Sequence, residues 1–495
     1  MRAAPWRAKL TPVSNFRGRP GLLEPTYVHP LTAQWADAGG PWTDETLDAA
    51  LSGSTPCEAD IAEVAGGLAA AGVGAGVTVS WQLANGWSAI TLYRACWRLG
   101  AVAAPIHHLA GSADVAVMLE RLRPALFVAG EADVPRANPV LVPLSPIDPA
   151  SVAVALGTSG STGSPKVALH THRGLLYKAR LMTTVHGLSA DDAILLPAPL
   201  AHISGLLNGV LLGVSGLRVV PMAKWDPVAA LELIEREGVT FMIGPPAFFV
   251  SLANAPGFTS EAVRSLRLIS CGGSGVTPTF VEITSQVLGC RVKRSYGSTE
   301  APTVTTSTMD DPVERAARTD GHPVGQAEVR TVDPTTGVDV PIGHAGEVLV
   351  RGPELFVGYD DPDATAAAFA KGGWFRTGDL ATIDPTGWLT IVGRIKDVII
   401  RGGENIATME IESVLEAHPS VREAVVVGEP DPRLGERVCA FVVLDGPFTL
   451  ADCRAWFAER EVTRFKWPER VDQLDALPLL GSGKPDKAAL RARLS

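Results

Sequence analysis

The chain has 495 residues, enough for a large core and more than one domain. Hydrophobic residues make up 46% of it, which excludes an intrinsically disordered protein, and a formal net charge of -10 offers no basic surface for nucleic acid. Six scattered cysteines without metal-ligand spacing read as reduced and mostly buried, and no apolar run reaches the roughly 18 residues of a membrane span. A cytoplasmic protein without a transmembrane segment is therefore expected, and the basic stretch 1–16 lacks the apolar run of a secretion signal.

Apolar residues at helical spacing predict a helix over 57–71, broken by Gly72 to Gly76, and a strand over 77–83. Asn85-Gly86 reads as a turn, followed by a helix over 87–99, a strand over 100–105, a helix over 113–122 and a strand over 125–128. The run 206–222 reads as a buried helix followed by a strand. Further on come a helix over 231–237, a strand over 239–243, a helix over 246–253 and a strand over 266–270 that enters a glycine loop. Strands alternating with helices argue for parallel sheets clothed on both faces. Near residue 320 the style changes to short strands and turns, with 346–352 read as a solvent-facing antiparallel strand. After Gly403 the order is helix (408–417), strand (421–427), loop (429–435), strand (438–444) and helix (451–458). The fold class is thus α/β: a large N-terminal domain (1–394) of layered sheets and helices with a β-rich distal part, and a small α+β C-terminal domain (395–495).

Two glycine-rich segments each carry a lysine. The strand 152–156 enters Gly157-Thr158-Ser159-Gly160-Ser161-Thr162-Gly163-Ser164-Pro165-Lys166. Its glycines let backbone N–H groups turn toward an anion, its hydroxyls add donors, and Lys166 adds a point charge suited to phosphate. Pro165 and the strand-like residues after Lys166 exclude a Walker A loop, which leads into a helix. A solvated polar turn is the competing reading. The second segment, Gly481-Ser482-Gly483-Lys484, lies near the C-terminus, where a lysine among glycines is by itself an ordinary turn.

Four blocks in order make the chain resemble the adenylate-forming superfamily of acyl-CoA synthetases, adenylation domains and firefly luciferase. They are Thr158 to Lys166, Tyr296-Gly297-Ser298-Thr299-Glu300, Gly373-Trp374-Phe375-Arg376-Thr377-Gly378-Asp379-Leu380, and Gly393-Arg394-Ile395-Lys396-Asp397 with Gly402-Gly403-Glu404-Asn405-Ile406 behind it. The resemblance spans nearly the whole chain, from about 57 to 494. It implies two half-reactions: a carboxylate attacks the α-phosphorus of ATP, giving acyl-adenylate and pyrophosphate, and a thiol then displaces AMP. It also implies a site for each part. Thr158, Ser159, Gly160, Ser161, Thr162, Gly163 and Lys166 hold phosphate, with Thr299 beside them. Glu300, with Thr158, is associated with Mg²⁺. Tyr296, Gly297, Gly273 and Ser274 border adenine and substrate, Asp379 accepts from the ribose hydroxyls, and Arg394 braces the nucleotide. His202, in Pro199-Leu200-Ala201-His202, edges the acyl pocket. Lys484 is the mobile lysine that bridges carboxylate and α-phosphate, although Leu479 and Leu480 stand where relatives carry arginine and a polar neighbour. Lys396 is the hinge about which the small domain turns, and Gly402 and Gly403 line the pantetheine tunnel. Thr408 stands where many relatives have proline.

His107, His108, His170 and His186 read as packing residues, His172 stays unassigned, and none forms a zinc cluster. The stretch 246–249 belongs to the expected acyl pocket, with Phe248 and Phe249 either lining it or packing in the core. An apolar lining favours a hydrophobic monocarboxylate: medium-chain, aryl or alicyclic. CoA is the simpler acceptor and a separate carrier protein the alternative; luciferase-like oxidation is more remote, and a nucleotide sensor without turnover is argued against by Lys484, Glu300 and Asp379. A homodimer is left open.

Overall fold

The computed structural model describes residues 42–53, 57–158, 165–273, 275–402, 404–479 and 485–494. Four sheets follow one another along the chain. The first contains β1 (Thr78–Trp81), β2 (Val102–Pro105), β3 (Leu126–Val128), β4 (Val152–Thr158) and β5 (Lys166–Thr171), in the order β3-β1-β2-β4-β5. β1 to β4 run parallel, and β5 turns back against β4. The second contains β6 (Ala193–Leu196), β7 (Arg218–Pro221), β8 (Phe241–Gly244), β9 (Leu268–Gly272), β10 (Arg291–Tyr296), β11 (Thr305–Thr306) and β12 (His322–Pro323), in the order β12-β11-β10-β9-β8-β6-β7. Its first five strands in the chain, β6 to β10, are parallel.

Helices clothe these sheets because their sequences start and stop them locally. The helix Pro227–Glu237 is typical. The Asp226 carboxylate caps the N–H groups of Val228 and Ala229 at 2.9 and 3.1 Å, Pro227 opens the first turn, and Gly238 closes the last at φ +61°. Between the two sheets lies the largest core, where Trp81, Tyr93 and Trp97 pack in series at ring separations of 4.9 and 5.4 Å. Two of the polar handles of that stack meet carbonyls: Trp97 donates to that of Ala153 at 3.1 Å and Tyr93 to that of Leu200 at 2.7 Å.

The third sheet is antiparallel: β13 (Glu328–Val332), β14 (Gly346–Arg351), β15 (Phe369–Ala370), β16 (Trp374–Ile383) and β17 (Leu389–Arg394). β14 corrects the sequence reading. It is buried from Gly346 to Val350, and the buried Glu347 pairs with Arg376 of β16. The third sheet is tied to the second through Asp320, whose carboxylate takes Arg294 of β10 and the N–H of Ile391 in β17, each at 2.8 Å. Arg294 and Asp320 are both buried, so removing either partner leaves a stranded charge costing about 3–5 kcal/mol.

The smaller α+β region holds β18 (Ile399–Arg401), β19 (Glu404–Ile406), β20 (Val421–Asp431), β21 (Gly435–Leu444) and β22 (Arg470–Gln473). The helices Thr408–Glu416 and Leu450–Glu459 supply Ile411, Leu415, Cys453 and Phe457 to a core under this sheet, and Leu490 packs with Val425, Val427, Cys439 and Phe441 in a separate cluster. The expected loop 429–435 is shorter than read, because β20 continues to Asp431 and β21 begins at Gly435. The cysteines are free, with Cys57 exposed and the other five buried. Among the described residues no helix is long and apolar enough to cross a membrane.

Candidate active site

The ends of the parallel strands converge on one region. β6 leads to His202, β8 to Pro245, β9 to Gly273 and β10 to Tyr296, and the crevice beyond the carboxyl ends of parallel strands is where such sheets take ligands. β4 and β5 form the hairpin that carries the glycine-rich loop, pairing Thr158 with Lys166. Residues 159–164, together with Ser274, Gly403 and Lys484, lie outside the described residues, so the positions expected of Ser159, Gly160, Ser161, Thr162, Gly163, Ser274, Gly403 and Lys484 are not described.

At the base of the loop the Thr158 hydroxyl donates to the Lys166 carbonyl at 3.4 Å. The Lys166 ammonium lies 4.8 Å from the centroid of the Tyr359 ring, a cation–π contact, and the same phenol donates to Glu300 Oε1 at 2.8 Å. Tyr359 thereby links the lysine of the loop to the acidic end of Tyr296-Gly297-Ser298-Thr299-Glu300. Burial and the Glu300 charge push its hydroxyl well above the ordinary tyrosine range, so it remains a donor. Nothing in the sequence pattern marked Tyr359.

The turn after β10 is shaped by sterics. A side chain at Gly297 would place its first carbon 2.3 Å from the Thr303 nitrogen, so only glycine fits. His170 of β5 holds the Thr299 carbonyl through Nε2 at 2.8 Å, which makes Nε2 the protonated nitrogen. His170 is a packing residue, as read from sequence, but it also fastens the loop carrying Glu300.

Asp379 of β16 stands opposite Arg394 of β17 in register. The residue is 4% exposed, and its carboxylate takes Arg394 Nε on one oxygen and the Tyr296 hydroxyl on the other, both at 2.8 Å. Burial, reinforced by the Asp379 charge, raises the Tyr296 hydroxyl far above its usual range. Tyr296, Asp379 and Arg394 therefore form one cluster. Each carboxylate oxygen keeps a second lone-pair direction in which a further hydroxyl can be accepted.

His202 caps the helix Ile203–Gly209 from its backbone, and the loop before it is braced by Asn85, which donates to Ala198 and accepts from Leu200 at 2.8 Å each. Of the two phenylalanines after β8, Phe249 is fully buried in the core, whereas Phe248 stacks on Trp225 at 4.5 Å and is half-buried. Gly402 turns β18 into β19 at φ +59°, with its N–H on the Leu434 carbonyl at 2.7 Å. Leu479 and Pro485, on either side of residues 480–484, form an antiparallel bridge, and Lys487 beyond them reaches the Thr408 hydroxyl at 3.0 Å and Glu412 at 2.9 Å. The threonine that replaces proline is thus a hydrogen-bond partner for the C-terminal segment.

Two buried rings give the fold an acid-sensitive side. Burial pushes both His170 and His172 down to about 4 from an ordinary value of 6.5. Both are neutral in the folded protein over a pH range where the unfolded chain protonates them. The unfolded chain then binds the extra protons, so stability falls as pH drops from 6.5 to about 4, by up to about 3 kcal/mol per ring. Urea midpoints at pH 7 and pH 4.5 are expected to lie closer together in His172→Gln than in the parent; an equal gap contradicts the assignment.

Parallel sheets with a glycine-rich loop on a β-hairpin, followed by a smaller α+β C-terminal region, make this an α/β protein of the class that takes ligands beyond the carboxyl ends of its strands. The family model described as AMP-binding enzyme matches residues 57–142 and 131–360, and the AMP-binding enzyme C-terminal domain matches 410–484. A medium-chain fatty-acid–CoA ligase of Escherichia coli is 33% identical over 469 residues, covering 86% of this chain and 82% of the relative. Pyochelin synthase PchD of Pseudomonas aeruginosa is 32% identical over 530 residues, covering 95% and 96%. The crystal structure of ATP-bound MatB from Rhodopseudomonas palustris superposes with a TM-score of 0.81 at 28% identity, over 88% of this chain and 92% of that one. The chain belongs to the adenylate-forming superfamily of AMP-binding enzymes, in its acyl-CoA synthetase branch. Its reaction is the activation of a carboxylic acid through an acyl-adenylate.

Proposed function

We propose that the chain is an ATP-dependent acyl-CoA synthetase acting on a hydrophobic monocarboxylate: medium-chain, aryl or alicyclic. In the first half-reaction a carboxylate oxygen attacks the α-phosphorus, and the bond to the bridging oxygen of pyrophosphate breaks. In the second, the CoA thiol gives up its proton, its sulfur attacks the acyl carbon, and AMP leaves. The observation that carries this reading is the cluster of Asp379 with Tyr296 and Arg394, one hydrogen bond and one ion pair, each at 2.8 Å, on a buried carboxylate at the strand ends.

In this reading Asp379 accepts the ribose hydroxyls, Arg394 braces the nucleotide, and Tyr296, Gly297, Gly273 and Ser274 border adenine and acyl group. Thr158, Ser159, Gly160, Ser161, Thr162, Gly163, Lys166 and Thr299 hold phosphates, and His202 edges the acid. Oxygen donors on Glu300 and Thr158 suit Mg²⁺, which uses one or two carboxylates and completes its shell with phosphate and water. Bound there, the ion would screen phosphate charge. Among the described residues there is no cluster of three His, Cys, Asp or Glu that could hold a metal ion.

Lys484 carries positive charge to the carboxylate and α-phosphate as the domain 395–495 closes on 1–394. Lys396, in the single turn Ile395–Asp397 between β17 and β18, is the hinge, and Gly402 and Gly403 flank the thiol's path after rotation. Lys396→Pro is expected to slow thioester formation more than adenylation; equal losses remove the hinge. A carrier-protein thiol is the second reading, kept by similarity to a relative named pyochelin synthase rather than CoA ligase. A panel of carboxylic acids scored for AMP and acyl-CoA, run with free CoA and with a phosphopantetheinylated carrier, decides between them. Turnover with the carrier alone overturns the CoA assignment.

A further inference from the structure

One buried donor in the acyl region has no partner among the described residues. His107 follows β2 at the carboxyl end of the first parallel sheet. Its loop is fixed by Gln82, whose side-chain amide donates to the carbonyls of His107, His108 and Ala110 at 3.3, 3.4 and 2.9 Å. The imidazole Nδ1 accepts the Leu109 N–H at 3.1 Å. A neutral ring that accepts at Nδ1 carries its proton on Nε2. Burial and the neighbouring His108 favour that neutral state. The Nε2–H is shielded from solvent and meets no acceptor in the described protein. The His108 ring stacks on His107 at 4.8 Å, and the His202 ring lies 5.2 Å away, so the orphan donor sits beside the residue that edges the acid.

An unsatisfied buried donor is a cost that packing alone gives no reason to keep. A ligand acceptor removes it. The group that fits is a neutral oxygen. A second carboxylate would be left uncompensated, because burial holds both His107 and His108 toward the neutral form. We propose that His107 is a specificity-determining residue of the acyl site, donating from Nε2–H to an oxygen on the body of the acid. Hydroxy-, methoxy- or oxo-substituted acids are then preferred over hydrocarbon acids of the same shape. The proposal rests on the acyl-site reading of His202, and it narrows the substrate class from hydrophobic monocarboxylates to those bearing an acceptor oxygen.

The test uses the full chain with ATP, Mg²⁺ and CoA, and matched acids: cinnamate with its hydroxy and methoxy derivatives, and octanoate with its oxo and hydroxy derivatives. The readout is the ratio of kcat/KM within each matched set, which cancels differences in the amount of folded protein. At least one oxygen-bearing acid is expected to exceed its hydrocarbon twin by about tenfold or more, the scale of one net hydrogen bond. His107→Asn keeps an acceptor for the Leu109 N–H but removes the distal donor, and the ratio is expected to fall toward one. His107→Gln restores a distal N–H donor and is expected to recover part of the preference. Twins that turn over alike in the parent, as when a water satisfies Nε2–H, overturn the inference but leave the adenylating activity standing. A preference that survives His107→Asn overturns it as well. Pyrophosphate release from no acid in the panel overturns the acyl-synthetase reading and this inference with it.

Discussion

Lys484→Ala is expected to slow adenylate formation by at least about a hundredfold while ATP affinity changes little, the scale of losing a group that stabilises transition-state charge. The chemistry requires two anions to meet. A unit charge about 4 Å from each contributes roughly 4 kcal/mol at the effective dielectric of a partly shielded site, and more as closure excludes water. Lys166 has a different place, at the base of the loop with its ammonium 4.8 Å from the Tyr359 ring centroid, where it serves the phosphates in the proposed reading. Single-turnover release of pyrophosphate, compared with nucleotide binding measured separately, reads both quantities. Near-normal adenylation in the variant removes the assigned role.

Asp379→Ala is expected to weaken ATP binding by about a hundredfold, from the loss of two charge-assisted hydrogen bonds with a combined net worth of about 3 kcal/mol. The same change leaves the Arg394 and Tyr296 groups that meet the carboxylate at 2.8 Å without their partner, so the cluster loosens as well. Asp379→Asn keeps the shape and one acceptor oxygen, and it is expected to fall between parent and alanine. Titration of ATP against each variant separates this from lost folding, which a melt reports. Unchanged affinity in Asp379→Ala contradicts the ribose contact.

The helices and parallel strands of the large domain were legible because their signals are local. The helix expected over 246–253 is found as Pro246–Ala253, opened by a proline in its first turn, and the helix over 57–71 is found as Glu58–Ala70. The burial of β14 was not legible. Glu347 looks like a solvent-facing residue until Arg376, on another strand, is brought against it. In the site, the motif blocks marked Tyr296, Glu300, Asp379 and Arg394, and three of these four meet in one cluster. The residues that position them had no signal. Tyr359 bonds a carboxylate 59 positions away and His170 a carbonyl 129 positions away. Such partners depend on register and sheet packing, which no short window of residues contains. Phe248 and Phe249 differ in the same way: adjacent on one helix, one is turned into the core and the other stacks on Trp225.

Exchange of labelled pyrophosphate into ATP, run with a carboxylic acid and Mg²⁺ but no thiol, probes the central claim most directly. An enzyme that builds an acyl-adenylate before it meets the thiol catalyses acid-dependent exchange in that mixture, and Lys484→Ala abolishes most of it. Exchange that appears only when CoA is added, or cleavage of ATP to ADP and phosphate, contradicts activation through an adenylate on this chain.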